Sequence, residues 1–173
     1  MAVEIHRYLD ALDLPVVRLD GDELRQVFSK TIGNDAESRA ARAAEYADLS
    51  RVLSNNRVIV ILAGIAAKVK IRADARAAHN PDQFAFAWVK TPTKVCIQRD
   101  PKGLYKKALE KIARNENADM VGVDIEYEEP TDAELIFDTI NDSFETCCRN
   151  TIQFLVDAGI VEVSDADASN KAE

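Results

Sequence analysis

Residues 16–22 read VVRLDGD, an apolar run that ends in two aspartates on either side of a glycine. The apolar residues at 16–19 predict a buried strand, and the polar turn Asp20-Gly21-Asp22 predicts that a helix begins near Glu23. Before this strand, residues 2–12 carry apolar side chains close to helical spacing. The chain therefore begins with a helix, a strand and a second helix.

Helices and apolar strands continue to alternate after this segment. Helices are predicted at 36–55, 68–79, 93–99 and 142–158, and strands at 58–62, 84–89 and 135–137. Strands separated by helices are typical of an α/β fold, with a mainly parallel sheet and flanking helices. We expect one domain over residues 1–163 and a polar, mobile tail over residues 164–173.

The composition is that of a globular protein, with 47% hydrophobic and 30% charged residues among 173. A formal net charge of −8 argues against nucleic acid and against an anionic membrane surface as partners. The charge is unevenly distributed, because residues 1–119 carry 20 basic and 16 acidic side chains whereas residues 120–173 carry 2 and 14. The first two thirds of the chain can therefore hold a local anion site.

The three cysteines, Cys96, Cys147 and Cys148, lack the paired spacing of zinc or redox sites. No apolar run approaches the roughly 20 residues that span a bilayer. The N-terminal segment is amphipathic and has no secretory hydrophobic region. We therefore expect reduced thiols and a cytoplasmic location.

Three candidate site residues follow predicted strands. Ligands of parallel sheets bind beyond the carboxyl ends of the strands, where the pattern places Asp20, Asp22 and Gly64. Two carboxylates at this spacing could hold a hydrated magnesium ion or accept a proton from a hydroxyl. They could also cap the following helix and stabilise its first turn. The residues alone leave both interpretations open.

A basic segment begins at residue 99, where the chain reads RDPKGLYKKA. Up to residue 114 it holds two acids and the six cations Arg99, Lys102, Lys106, Lys107, Lys111 and Arg114, with Gly103 as a hinge. Such a segment could close over a polyphosphate, or it could be a solvated helix face. Arg72 and Arg76, one helical turn apart, leave a similar choice between substrate phosphate and solvent.

The run at 99–108 resembles the lid of adenylylsulfate kinases, which phosphorylate adenosine 5'-phosphosulfate at its 3'-hydroxyl. Residues 17–25, VRLDGDELR, resemble the strand and turn of this family, and Arg39 stands where a family helix carries an arginine. Residues 122–130, GVDIEYEEP, are similar to the family's GIDxPYExP segment. The similarity runs in order through most of the chain.

This resemblance implies a P-loop kinase fold with three α/β/α layers. It implies transfer of the γ-phosphoryl group of ATP-Mg²⁺ to a nucleotide such as adenosine 5'-phosphosulfate, in sulfate assimilation. It assigns Asp20 and Asp22 to catalysis and magnesium binding, Arg25, Arg39, Arg42, Gly64, Gly122 and Asp124 to substrate binding, and Arg99, Lys102, Gly103, Lys106 and Lys107 to the lid. The expected ligand is a nucleotide phosphate or phosphosulfate.

The 173 residues contain no GxxxxGK[ST] run, the loop that holds the β and γ phosphates. Residues 2–12 correspond to the helix that follows this loop, so the loop and the first strand would precede Met1. Either Met1 is an internal methionine or the protein lacks this nucleotide-binding edge. Because that strand is central in P-loop kinases, we expect two strands to face a gap. The chain would then close its sheet differently, gain a strand from a homodimer or partner subunit, or be marginally stable, and we expect it to be inactive by itself.

The substrate side departs from the family pattern. Residues 33–35 read GND where a phenylalanine is expected, Met120 replaces a second phenylalanine, Arg42 replaces an asparagine, and residues 63–65 read AGI rather than ISP. The family's phenylalanines sandwich adenine, and such stacking is worth roughly 1–3 kcal/mol per base. These departures leave as an alternative a kinase with a different nucleotide or sugar-phosphate acceptor. A second alternative, which the lack of the GxxxxGK[ST] run leaves open, is a non-catalytic anion- or nucleotide-binding or regulatory relative.

Overall fold

A computed structural model describes residues 1–28, 33 and 35–161. The helices are α1 (Ala2–Asp10), α2 (Gly21–Val27), α3 (Ala36–Asn55), α4 (Val69–Ala77), α5 (Thr93–Arg99), α6 (Leu104–Ala113) and α7 (Phe144–Asp157), and the strands are β1 (Val16–Asp20), β2 (Ile59–Ala63), β3 (Ala87–Lys90) and β4 (Leu135–Asp138). The predicted elements occur in the predicted order, and α3 and α5 have the predicted bounds, but helix α6 in the basic segment was not predicted. Asn34 and the predicted tail at 164–173 lie outside the described residues.

The four strands form two parallel pairs. In β1 and β2, Val16 lies opposite Ile59, and in β3 and β4, Ala87 lies opposite Leu135. The predicted α/β class with parallel strands is therefore confirmed. Over the described ranges no ladder of hydrogen bonds joins the two pairs, so the sheet is divided in two.

Strand β3 begins three residues later than predicted. The backbone N–H of Phe86 donates to the Glu134 carboxylate at 2.7 Å instead of joining a strand ladder. The Arg72 guanidinium lies 5.6 Å from the ring centre of Phe86, and that of Arg76 lies 5.0 Å from the ring of Phe84. Contacts with α4 and with the segment before β4 therefore hold these aromatic residues outside the sheet.

The main hydrophobic cluster lies between α1, α7 and the first strand pair. Its buried members are Ile5, Leu9 and Val161, and Leu9 is fully buried. Val16, Ile59 and Ile61 pack against this cluster from the strands, and Ile152 and Leu155 from α7. A second pair of helices, α3 and α4, pack against each other, and α3 also contacts β2. Helices thus flank the strands, as predicted.

The carboxyl ends of β1 and β2 lie side by side, because Asp20 is paired with Ala63 in the register. A Cβ on Gly21 would lie 3.2 Å from the Ala63 carbonyl oxygen, so the turn after β1 packs tightly on the end of β2. The predicted placement of Asp20, Asp22 and Gly64 at one edge is therefore confirmed. Within the described part of the chain, no helix is both long and apolar enough to cross a bilayer.

Candidate active site

In the turn between β1 and α2, both carboxylate oxygens of Asp20 accept hydrogen bonds from neighbouring residues. Asp20 is the N-cap of α2, and its Oδ1 accepts the backbone N–H of Asp22 at 2.9 Å. Its Oδ2 accepts a hydrogen bond from the Arg18 guanidinium at 3.1 Å. Asp22 lies in the first turn of α2, where the helix dipole favours a negative charge. The capping interpretation of this pair is thus borne out by the structure.

The basic segment reaches this turn through Lys102. The Lys102 Nζ lies 3.4 Å from the Asp22 Oδ2, although the two residues are 80 positions apart. Their side chains are 70% and 83% exposed, so both charges remain open to solvent. This exposed lysine and carboxylate are available to an anion and a cation, respectively.

The rest of the lid is shaped by Asp100 and Gly103. Asp100 accepts the backbone N–H groups of Tyr105 and Lys106 at the start of α6, at 3.0 and 2.9 Å. These bonds, that from Lys106 most strongly, hold the pKa of Asp100 below its ordinary value. Gly103 has φ of +66°, which glycine adopts without strain. The lid thus has a fixed bend before α6.

The four cations of the lid are placed differently. Arg99 donates to the Thr139 carbonyl oxygen at 3.4 Å, beyond the end of β4, whereas Lys102 reaches Asp22. Lys106 and Lys107 are exposed on α6. Arg99 therefore anchors the lid to the second strand pair, and the lysines extend into solvent.

A tight loop over residues 118–125 lies beside the lid. The Asp124 carboxylate accepts the backbone N–H groups of Ala118, Asp119 and Met120 at 2.8, 2.9 and 2.8 Å. These bonds, the one from Met120 first, lower the pKa of Asp124. Gly122 has φ of +84°, and a Cβ there would lie 3.0 Å from the Thr93 Cγ2. Asp124 shapes this loop, and Gly122 lets it approach α5.

Two arginines of α3 contact backbone carbonyls of neighbouring loops. Arg39 donates to the carbonyl oxygen of Asp119, and the buried Arg42 donates to that of Gly33 at 2.6 Å. On the same helix, the Tyr46 hydroxyl lies 3.5 Å from the Gly21 carbonyl oxygen, and burial raises the pKa of Tyr46. Helix α3 therefore connects the turn after β1 with the 118–125 loop.

Arg72 of α4 is buried, with 6% of its surface exposed. Its two terminal nitrogens donate to the carbonyl oxygens of Ala66 and Glu128, each at 2.7 Å. The guanidinium lies 5.6 and 5.8 Å from the ring centres of Phe86 and Tyr127. The interpretation of Arg72 as part of a solvated helix face is therefore wrong, and its terminal nitrogens bind backbone carbonyls of the protein itself. We call Arg72, Ala66, Tyr127 and Glu128 the Arg72 clamp.

Glu128 also binds the start of α4 through its carboxylate. Its Oε2 accepts the backbone N–H of Val69 at 2.7 Å, and its Oε1 lies 3.0 Å from the Lys68 Nζ. The Val69 N–H, followed by Lys68, lowers the pKa of Glu128. The backbone N–H of Glu128 donates to the Ala67 carbonyl oxygen at 2.9 Å. The segment around Glu128 is thus fixed to the loop after β2.

Comparison with known proteins decides the family. Residues 1–138 match the sequence model described as adenylylsulphate kinase. The chain belongs to the adenylylsulfate kinase family. The adenylyl-sulfate kinase of Oceanobacillus iheyensis is 32% identical over 153 residues, which are 88% of this chain and 75% of that protein. The adenylyl-sulfate kinase of Bacillus licheniformis is 33% identical over 151 residues, covering 87% and 75%.

Adenylylsulfate kinase structures also share the fold. The structure of the Mycobacterium tuberculosis APS kinase CysC in complex with AMPPNP and APS is 26% identical to this chain and has a TM-score of 0.79. The match covers 90% of this chain and 88% of that one. The family resemblance and the P-loop kinase type of fold expected from the sequence are therefore confirmed.

The predicted site residues of this adenylylsulfate kinase family member fall into two groups. The first surrounds the ends of β1 and β2, where Asp20, Asp22 and Gly64 meet Lys102 of the lid. The second surrounds the 118–125 loop and includes Arg39, Gly122 and Asp124. Arg25 is exposed on α2, next to the first group.

Sequence reasoning gave no connecting role to the residues that join these groups, and it considered Arg72 only for a substrate phosphate or for solvent. Gly21, Tyr46 and Arg72 act through backbone contacts, which no charge pattern shows. Glu128 was quoted within the family resemblance without a role of its own. For Gly21, the only sequence signal was a glycine between two aspartates directly after a buried strand.

The exposed carboxylate of Asp22 fits a magnesium ion, which proteins often bind through one or two carboxylates and the substrate's phosphates. Among the described residues, no group of three or more histidine, cysteine, aspartate or glutamate side chains could hold a metal. Phosphate oxygens would therefore have to complete the coordination. For the donor nucleotide, the lid supplies cations, but the phosphate-cradling loop is not among the 173 residues.

Proposed function

We propose that these residues form the acceptor side and the lid of an adenylylsulfate-kinase-type phosphotransferase. The reaction transfers the γ-phosphoryl group of ATP to the 3'-hydroxyl of adenosine 5'-phosphosulfate. The contact between Lys102 and Asp22 carries this proposal, because it joins the lid to the strand end where an acceptor would lie. Membership of the family supports the reaction type.

Each charged group has a role that suits its exposure. Asp22 would bind magnesium or accept the proton of the acceptor hydroxyl, while Asp20 holds the turn that carries Asp22. Lys102, Lys106 and Lys107 would neutralise charge on the transferred phosphoryl group. Bound magnesium would supply charge neutralisation at the phosphates. These residues thus contribute position and electrostatic stabilisation.

The exposed guanidinium of Arg25 would bind the acceptor's phosphate. It lies one helical turn after Gly21, on the helix whose N-terminus carries Asp22. An arginine binds phosphate oxygens through two parallel N–H groups, which gives orientation as well as affinity. Arg39 and Arg42 would act beside it by fixing the neighbouring loops at Asp119 and Gly33.

The test is calorimetric titration of the 173-residue chain with adenosine 5'-phosphosulfate and, separately, with ATP-Mg²⁺. We expect the acceptor to bind, and Arg25→Ala to weaken it roughly tenfold or more, because a hydrogen bond to a charged group contributes about 1.5–3 kcal/mol. Arg51→Ala is the matched control, since Arg51 is a partly exposed arginine paired with Asp48 on α3. No acceptor binding by the wild-type chain would contradict the proposal.

A second candidate is nucleotide binding without phosphoryl transfer. This candidate concerns the 173 residues by themselves, which contain no GxxxxGK[ST] run. It predicts that the acceptor binds while ATP-Mg²⁺ does not and that no ADP is formed. Formation of ADP by this chain, abolished in Asp22→Asn but retained in Asp48→Asn, would contradict it.

The residues expected to hold the acceptor also differ from the family pattern. Arg42 replaces the expected asparagine, and its guanidinium is buried against the Gly33 carbonyl oxygen. Together with the loss of the phenylalanines expected near residues 33–35 and at Met120, this replacement favours an acceptor with a different base or with a sugar phosphate. Titration with guanosine and uridine nucleotides beside adenosine 5'-phosphosulfate would test this, since tighter binding of the guanosine or uridine nucleotides identifies a changed acceptor.

A further inference from the structure

We propose that Arg72 is a positioning residue for the acceptor site, an inference that rests on the proposed function. Through the Arg72 clamp it joins the loop after β2 to the segment that carries the 118–125 loop. These two segments would form opposite walls of the acceptor site. Arg72 therefore sets their separation without touching the acceptor.

The geometry requires an arginine. Two nitrogens of one guanidinium reach the Ala66 and Glu128 carbonyl oxygens, each at 2.7 Å. These acceptors are 6 residues before and 56 residues after Arg72 in the sequence. A planar guanidinium presents several donors in a fixed fork, whereas the lysine ammonium is a single point charge. Lysine at position 72 could bind one carbonyl but would not hold the two together.

The backbone at Ala66 supports this role. Its φ is +42°, in the left-handed region that residues with a Cβ seldom adopt. Such conformations persist where the surrounding structure holds them, and here the carbonyl of Ala66 is bound by Arg72. The next carbonyl, of Ala67, accepts the N–H of Glu128. The loop after β2 is thus held in place by the clamp.

Both walls lead directly to the predicted site. The loop held at Ala66 continues from Gly64 and Ala63, against which the turn of Gly21 packs. The segment held at Glu128 continues back to the 118–125 loop, which contacts α3 through Arg39 and α5 through Gly122. Loss of the clamp would therefore displace the loop after β2 relative to the 118–125 loop.

The first experiment measures amide hydrogen exchange of the 173-residue chain, with Arg72→Met against wild type. We expect the Val69 and Glu128 amides to exchange at least tenfold faster in the variant. The Val69 N–H is bonded to the Glu128 carboxylate and the Glu128 N–H to the Ala67 carbonyl oxygen, so both bonds lie between the two segments that Arg72 joins. The Leu9 amide in the main hydrophobic cluster should change much less. Arg76→Met is the matched control, because Arg76 is on the same helix but pairs with Glu134. If the exchange rates of the Val69 and Glu128 amides are unchanged, or if that of the Leu9 amide rises equally, the proposal that Arg72 holds the two segments together is contradicted.

The second experiment measures the affinity for adenosine 5'-phosphosulfate in the same variants. Small displacements of a site can cost up to about a hundredfold, and we expect Arg72→Met to weaken binding at least tenfold and Arg76→Met less than twofold. Adding Ala66→Gly should recover part of the loss, because glycine adopts positive φ without strain. If Arg72→Met does not fold, Arg72→Lys takes its place, with the same direction of change.

The outcomes separate the two proposals. If the wild-type chain does not bind the acceptor, the proposed function fails and Arg72 positions no acceptor site, while the exchange data still decide whether the clamp exists. If the wild-type chain binds the acceptor and Arg72→Met binds it equally well, the positioning role fails and the proposed function stands. Loss of binding with no recovery by Ala66→Gly contradicts the part of the argument that concerns Ala66.

Discussion

The Arg72 clamp and the Lys102–Asp22 contact join distant parts of the chain in opposite ways. Arg72 is buried, and its partners are two backbone carbonyl oxygens at 2.7 Å. Lys102 and Asp22 are largely exposed, and their charges are 3.4 Å apart. Each contact uses one long basic side chain, but Lys102 forms an ion pair, whereas the hydrogen-bond acceptors of Arg72 are backbone carbonyls.

The difference indicates which contact maintains structure and which can be exchanged for a ligand. A buried donor whose partners are lost leaves polar groups without hydrogen bonds, and this is costly. An exposed ion pair contributes little, because water and salt screen it. The clamp should therefore govern the stability of the loops, while the lid contact should open when a phosphate or a metal competes for its charges.

The substitution Arg72→Met is the strongest test of this comparison. We expect it to lower the free energy of unfolding by about 2–4 kcal/mol, since two charge-assisted hydrogen bonds are lost and two carbonyl groups lose a partner. Denaturant unfolding of the variant, of wild type and of Arg76→Met provides the measurement. A loss of unfolding free energy equal to that of Arg76→Met would show that the clamp stabilises the fold no more than the Arg76–Glu134 ion pair does.

Glu128→Ala is expected to have a smaller effect, confined to the start of α4. It removes the acceptor of the Val69 N–H and the partner of Lys68 but leaves the backbone carbonyl that Arg72 binds. The Val69 amide should therefore exchange several-fold faster. Glu126→Ala is the control, because Glu126 also lies near Lys68, at 3.7 Å, and its loss should leave Val69 protected.

The two contacts differ also in how much of them the sequence revealed. For the lid contact the sequence predicted both partners as candidate site residues, because acids after a strand and a basic segment with a glycine hinge are visible as a pattern, but it did not predict that Lys102 and Asp22 meet. The Arg72 clamp was missed, since its acceptors are backbone carbonyls and a carbonyl at residue 128 leaves no mark in the sequence. For Asp20, residue type allowed either a cap or a metal ligand, and only the bond to the Asp22 N–H shows that it caps α2.

In the fold, too, local features could be predicted from the sequence and long-range contacts could not. Helices α3 and α5 begin and end as predicted, because propensity and a preceding proline are local signals. Strand β3 was predicted too long, since Phe86 bonds to Glu134 from a distant part of the chain. The division into two strand pairs agrees with the gap expected from the family resemblance, whereas hydrophobic period alone does not say which strands become neighbours.

The pH dependence of the clamp gives a third prediction. The pKa of Glu128 lies below its ordinary value of 4.5, so its ionised form stabilises the folded state. This contribution is fully present above pH 4.5 and is lost as the pH falls through the lowered pKa. Protection of the Val69 amide, corrected for intrinsic exchange, should be constant from about pH 7 to 5 and fall below that range. Glu128→Gln should remove this dependence, and a wild-type profile that stays flat below pH 4 would contradict it.

The smallest expected effect is that of Lys102→Met on stability. We expect the free energy of unfolding to change by less than about 1 kcal/mol, because an exposed ion pair is weak and the side chains become mobile when it breaks. Lys107→Met is the control, since Lys107 is exposed on the same lid and makes no ion pair within the described ranges.

Denaturant midpoints of Lys102→Met and Lys107→Met, measured at low and high salt, should therefore nearly coincide. A loss above about 2 kcal/mol in Lys102→Met alone would show that the lid is fixed to Asp22 as part of the folded structure. The comparison with the Arg72 clamp would then fail, since both contacts would be structural. A near-zero effect would mean that releasing Lys102 from Asp22 costs little free energy. A lysine that leaves a carboxylate to bind a phosphate must be released this easily.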